Sequence, residues 1–549
     1  MKKRLIVPFC LFLYGGVQAQ SVQEAKELIY HERYSSAAQT LQAVLQTNAA
    51  DASAWYWQSQ AYLQQNKADS IKNLLLTAPA QAQNEPLYQV AYGHVLLQEG
   101  KKDSAQLLFD KALKETREKN AEVLAAVAKA HIDAPSGDVN YALAQLEKAI
   151  KREKKDPTLY TLKGEAYRRL LNGSEAFKAY QEALDKDKNY AAALYKLGNI
   201  FASQKNTELY LKYYNDALAA DPNFGPANYA LYLHYYYTDA ARAMDYFKKF
   251  AAQSDKSRQH DYWYTDLLYL NKQYDMAIQN ATHLIQKEGE KAEPRLYKLV
   301  AYSYKDQGDN AQAFNYMNAY FDKAPDSVHV MKDYETMGEL YAATEGKADS
   351  AAAFYEKAVA LVEDSAARYN YYKKLAGMYG KMDNSAAQAQ WLGKFYEGNS
   401  KATNVDLFNW GLAHFKAAEY ELADSVFGRY TTQYPEQTFG YYWRARSNTA
   451  RDSAMEKGYA VPHYQKLIAV AQNDTSASET NKKWMIEAYG YLAAYETNTN
   501  KDYAAAIRYF EQLLVLDPEN ADAQRYMGIL KKNMNSGAGA NSETTKAGK

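Results

Sequence analysis

The stretch Glu85–Leu113, "EPLYQVAYGHVLLQEGKKDSAQLLFDKAL", decides the fold. Two segments of about a dozen residues, each with apolar positions at helical spacing, flank the polar turn "QEGKKD". The stretch therefore reads as a helical hairpin. Gly93 is followed by Ala105, Phe109 and Ala112, and the small residues Gly93 and Ala105 stand where the two helices cross, since a larger side chain would hold the backbones apart.

The same order returns as Gly164, Ala176, Tyr180 and Ala183, and again as Gly411, Ala423, Phe427 and Tyr430. Alanines of this type recur at Ala37, Ala105, Ala142, Ala176, Ala277, Ala313, Ala351, Ala423 and Ala506, separated by 34 residues, by slightly more, or by about twice that. Pro222, Pro325, Pro435 and Pro518 follow second helices, where a missing amide and a disfavoured helical geometry before the ring force a turn. One hairpin cannot cover its own apolar face, so successive hairpins stack.

This pattern resembles the tetratricopeptide repeat over nearly the whole chain. The resemblance implies an all-α fold, a right-handed superhelical solenoid of about 14 helical hairpins. Unit starts fall near 20, 52, 86, 120, 157, 191, 225, 258, 294, 331, 369, 404, 438 and 484. A last helix near 521–534, carrying Gly528, is expected to cap the stack. The turn "HIDAPSGDVNY" is lengthened, "NDTSASETNKK" at 473–483 is a polar break, and residues 536–549 are too poor in apolar side chains to fold. Residues 20–535 read as one continuous solenoid, with a division near 252–261 as the alternative.

The first residues, "MKKRLIVPFCLFLYGGVQAQ", join a basic start to an apolar run and a small-residue exit, the layout of a cleaved secretory signal over 1–19. The run is too short for a membrane span. The only cysteine, Cys10, follows the bulky Phe9 rather than the small residue that a lipoprotein signal places there. Cleavage leaves a cysteine-free chain, without disulfides or thiolate metal sites.

Basic and acidic residues balance at 65 each, which favours neither nucleic acid nor an anionic membrane. The local run "KAIKREKKD" reads as a solvated helix end. No catalytic motif is present. The nine histidines are scattered, "DKDKN" fails as a calcium loop because Tyr190 stands where glycine is required, and no phosphate-cradling loop or nucleophile elbow occurs. The sequence implies no enzyme, no metal and no cofactor.

The chain holds 52 tyrosines, concentrated in stretches such as "LYLHYYYT" at 231–238. In the repeat register Leu231, Tyr232 and Tyr235 are core, as most of the tyrosines are. By the resemblance, first helices line an inner surface, which places Tyr195, Asn199, Tyr229, Leu233, Tyr236 and Tyr237 there. Arg295, Lys298, Tyr302 and Lys305 follow, then Phe408, Leu412, Phe415, Phe439, Tyr442 and Arg446. Aromatics with interspersed arginine are typical of binding hot spots. The lysine–asparagine clamp that some tetratricopeptide domains use for carboxyl termini is not carried over. Of Thr161, Glu165, Tyr195, Asn199, Tyr229 and Leu233, only Asn199 fits it.

The expected function is an exported scaffold, periplasmic or outer-membrane-associated in a Gram-negative bacterium, which binds protein or peptide partners of the cell envelope and has no membrane span after cleavage. A glycan-binding protein and a self-associating structural scaffold are the alternatives.

Overall fold

The computed structural model describes residues 21–474 and 478–543, so the expected signal with Cys10 and the end of the expected tail lie outside the described residues. Among the described residues the chain forms 30 α-helices and no strand. First helices begin at Val22, Ala52, Pro86, Ala121, Pro157, Ala191, Gly225, Arg258, Pro294, Met331, Ser365, Asn404, Thr438 and Ser478. Two of these lie upstream of the sequence estimate. At 369 the alanine spacing misleads, because Asp364 accepts the Ala367 amide and starts the helix one turn earlier. The last helix runs Ala521–Glu543, past the expected end at 534 and into the segment read as tail.

Local chemistry explains the boundaries. Side chains of Asp51, Asn120, Asp156, Asn172, Asn206, Asp309 and Asp502 each accept an amide of the first helical turn. Pro86, Pro157 and Pro294 open helices, where no amide donor is needed. In the lengthened turn at 134–138, Gly137 lies against the His131 carbonyl with no room for a Cβ, and Arg169 donates to the carbonyls of Ile132, Ala134 and Pro135.

The crossings are built as the spacing implies. A Cβ on Gly93 would lie 2.6 Å from the Phe109 ring, on Gly198 2.5 Å from Tyr214, and on Gly411 2.8 Å from Phe427, and Gly164 meets Tyr180 in the same way. The nine periodic alanines, from Ala37 to Ala506, have no exposed surface. Gly528 differs, with open space where its Cβ would be, as befits the end of a stack.

The chain divides into two compact units, one up to Ser303 and one from Tyr304. The division falls within the helix Pro294–Asp306, and the interruption at 252–261 lies inside the first unit. In the first unit successive first helices touch: Ala52–Leu63 meets Pro86–Gln98, which meets Ala121–Asp133, which meets Pro157–Arg169. Each first helix also packs on its own second helix, giving a solenoid of stacked hairpins. The second unit repeats the arrangement. Its first helices Ser365–Lys381, Asn404–Lys416 and Thr438–Arg451 each pair with a following helix.

The first unit also touches itself at long range. The turn between helices Val22–Tyr30 and Tyr34–Thr47 reaches hairpins far along the chain. Asp255 accepts from the amides of Ser35 (2.6 Å) and Ser36 (3.1 Å) and from the Ser36 hydroxyl (2.5 Å). His31 bonds to the Asn223 carbonyl at 3.1 Å and lies 3.5 Å from Asp221. The Tyr30 hydroxyl accepts from the Ala192 amide, and its ring packs against Tyr190 and Phe224. Bonds of this kind contribute about 1 kcal/mol each. Together they close the first turn of the solenoid onto its own start.

Candidate interaction surfaces

Charged side chains from several hairpins of the first unit come together on its first helices. Lys129 pairs with Asp133 at 2.8 Å and Lys196 with Glu165 at 2.6 Å, and Gln64 donates to Asp133 at 3.2 Å. Each of these ion-paired side chains keeps between 18% and 30% of its surface, so water reaches them. Glu32 and Tyr34 come from the first hairpin and join the same set. Desolvation pushes the Glu32 carboxyl up, with Lys196 opposing and Glu165 adding to the rise. Burial also raises the Tyr34 phenol, reinforced by Glu32, Glu165 and Asp133. Groups from the first, fourth, fifth and sixth hairpins thus share one electrostatic environment.

Further along the first unit the inner face turns aromatic. Tyr195 packs on Tyr214 and Phe224, and the Tyr214 hydroxyl donates to Asn199 at 2.7 Å, which places both sequence-selected residues in contacts within the fold. Tyr229 lies 5.0 Å from Phe250 and 5.6 Å from Trp263 between ring centroids. Of the "LYLHYYYT" stretch, Leu231 and Tyr232 are buried as expected, and Tyr235 is half-buried, stacked on Tyr246. Tyr236 is half-buried against Tyr232 and Tyr237. Leu233 is 51% exposed on the helix Gly225–Tyr235, whereas Tyr236 and the 89% exposed Tyr237 lie past its end, in the turn and not on the first-helix face expected of them.

Arg295 donates to Asp266 at 3.1 Å and lies over the Tyr262 ring at 4.9 Å. Asp266 is nonetheless pushed up to about 6, because desolvation outweighs the opposing guanidinium. Lys298 and Tyr302 are half-buried on the same helix, with Tyr302 6.3 Å from Tyr269.

In the second unit Lys305 pairs with Glu339 at 2.6 Å. The other second-unit residues selected from sequence, with one exception, join a chain of rings across three first helices. Phe408 contacts Phe439 and Trp443, Phe415 contacts Trp443, and Tyr442 stacks on Trp484 at 4.5 Å. Tyr442 is buried and donates to Glu487 at 3.0 Å, whereas Phe439 is 44% exposed. Arg446 is exposed, lies over the Tyr442 and Trp443 rings, and donates to the Tyr442 hydroxyl. The exception, Leu412, lines a groove of 540 Å³ with Lys373, Gln388, Asn409 and Lys416, where Lys373 pairs with Asp406 at 3.1 Å. Phe439 lines a second, of 600 Å³, with Lys466 and Asn473.

Sequence reasoning missed Trp263, Asp266, Trp443 and Trp484. All four lie on first helices among residues it did select, so a wider helical face would have found them. It missed the charged set altogether. Among the described residues, no group of three or more His, Cys, Asp or Glu side chains could hold a metal, and no helix is long and apolar enough to cross a membrane.

Residues 28–94 match one family model of the tetratricopeptide repeat, and residues 127–189 and 161–223 match another. The chain is a tetratricopeptide repeat protein. Tetratricopeptide repeats mediate protein–protein interaction. No curated protein matches it. Among solved structures, it is similar to the C-terminal part of a tetratricopeptide repeat protein from Cytophaga hutchinsonii. That pair shares 28% identity over 48% of this chain and 97% of the other, with a TM-score of 0.28. A tetratricopeptide repeat protein from Parabacteroides merdae is 23% identical over 47% of this chain and 98% of its own, at 0.29. A protective antigen of uropathogenic Escherichia coli with an SLR fold is 14% identical over 77% and 90%, at 0.37.

Proposed function

We propose that this tetratricopeptide repeat protein is an exported scaffold of a Gram-negative cell envelope that holds protein partners on the first-helix faces of its hairpins. The observation that carries the binding role is the exposed apolar and aromatic surface on and beside those helices, Leu233 with Tyr237 of the turn that follows it in the first unit, and Phe439 near Arg446 on one helix in the second. Such residues give large contact area at small entropic cost. The 540 Å³ groove beside Leu412 adds a concave, mixed polar and apolar recess of the size that receives a few side chains. Export is supported by the leader read over residues 1–19.

Affinity capture from envelope extract tests the binding role. The parent protein retains specific partners, and L233A/Y237A or F439A/R446A loses at least one of them while keeping the parent's circular dichroism. Retention of every partner by both variants rejects these surfaces. Export is checked separately by fractionation and mass. The mature chain begins at Gln20 in the envelope fraction, and an uncleaved cytoplasmic chain refutes it.

A further inference from the structure

The first hairpin turn controls access to the charged inner face of the first unit, an inference that rests on the reading that inner faces hold partners. We propose that the turn Tyr30–Ser36 is a latch. Docked on Ala192, Asp221–Phe224 and Asp255, it closes the first solenoid turn, and released, it uncovers the charged side chains gathered beside it.

The closing contact is confined to the turn. Tyr30, His31, Ser35 and Ser36 supply the bonds, and their partners lie 162 to 220 residues away. Helix Tyr34–Thr47 has no side-chain cap of its own, because Arg33 occupies the N-cap position. Asp255 instead caps it from a distant loop, accepting two amides of its first turn. Both amides stand near solvent, so release hands them to water rather than leaving them unsatisfied.

The first hairpin does not depend on the latch for its own fold. Ala25, Ala37, Leu41 and Leu45 are buried in the same core as Ala54 and Trp55 of the next hairpin. Tyr30 belongs to a separate cluster with Ala191, Leu194, Phe224 and Ala227. Undocking therefore takes one ring, Tyr30, from the second cluster and leaves the core of the first hairpin whole. Lys129, Asp133, Glu165 and Lys196 are all part-exposed, and the rings at the contact are Tyr30 and Phe224, so opening exposes little apolar surface beyond those two. Glu32, within the turn, is within electrostatic reach of Lys196 and Glu165.

Thiol accessibility tests the latch without any partner. In a C10S background a single thiol is placed inside, E165C, or outside, K111C, and is reacted with a bulky polyethylene-glycol maleimide. D255A is expected to raise the E165C rate by about tenfold or more, with D255N in between because it keeps one acceptor oxygen, while K111C stays unchanged. Hydrogen exchange gives the same answer without a thiol. Amides of residues 22–47 exchange faster in D255A, and those of Pro86–Gln98 do not. Equal E165C rates and equal exchange in parent and D255A overturn the latch. Retention of every partner by L233A/Y237A and F439A/R446A would reject the binding surfaces and leave the latch standing, so the two readings fail separately.

Discussion

Across the fourth to sixth hairpins of the first unit the side chains that meet are charged, Lys129 with Asp133 and Glu165 with Lys196, whereas across the last first helices of the second unit they are rings, Phe408 with Phe439 and Trp443, and Phe439 with Trp484. Charges in a narrow interior retain water, because desolvating an ion pair costs more than its attraction returns unless the geometry is very good. They cannot draw the solenoid shut. Closure there depends on contacts at the rim, where Asp255 and Tyr30 dock the first turn. Rings behave oppositely. They fill the space between first helices by packing on one another and leave only the outermost, Phe439, open. One repeat thus yields a wet interior in one unit and a dry aromatic shelf in the other.

The largest expected effect tests whether the two units are separate in stability. Phe109 and Phe427 are both fully buried at crossings, and truncating either to alanine should cost about 3–5 kcal/mol. Calorimetry of F109A should lower the transition of the first unit, and F427A that of the second. A common shift of one transition would merge the units.

Acid should next expose two desolvated groups of opposite sign within the first unit, each worth about 3 kcal/mol. His94 is fully buried in the first unit, and desolvation lowers it to about 4 from the 6.5 of the unfolded chain, against a pull upward from Asp133. The unfolded state binds the extra proton, so this stability is present above pH 6.5 and is lost as pH falls toward 4. Asp266 has the reverse sign. Its folded value of about 6 exceeds the unfolded 3.8, so it contributes stability below about pH 4 that is lost as pH rises through 6. Denaturant midpoints of H94Q and D266N against the parent, taken between pH 4 and 7, should change slope in opposite directions.

A smaller effect separates crossing glycines from the terminal one. G164A forces a Cβ against the Tyr180 ring and should destabilise by about 1–3 kcal/mol, whereas G528A meets open space and should gain up to about 1 kcal/mol from helix propensity. Equal effects would mean that the crossing can relax. Smallest of all, L233A/Y237A should move stability by no more than about 0.5 kcal/mol, because both side chains are exposed. A larger loss would show that these side chains are part of the packing.

Much of the molecule was legible in the chain. The glycine–ring pairs lie 16 residues apart in each regular hairpin, Gly93 with Phe109 and Gly411 with Phe427, a separation short enough for periodicity to reveal it. The candidate surface was legible only in part. Position on a first helix follows from the register for Tyr442, which Trp484 and Glu487 cover, but not for Tyr237, which lies past the helix end at Tyr235 and stays exposed.

By itself the sequence determined the hairpins, their boundaries to within a few residues and the small-against-large contacts inside them, since helix caps, turns and crossings are set by neighbours in the chain. Only the tertiary structure decided which inner faces are wet or dry and that the first turn returns to Asp255. Those outcomes depend on the summed rotation of several stacked hairpins, and no local pattern of residues encodes that sum.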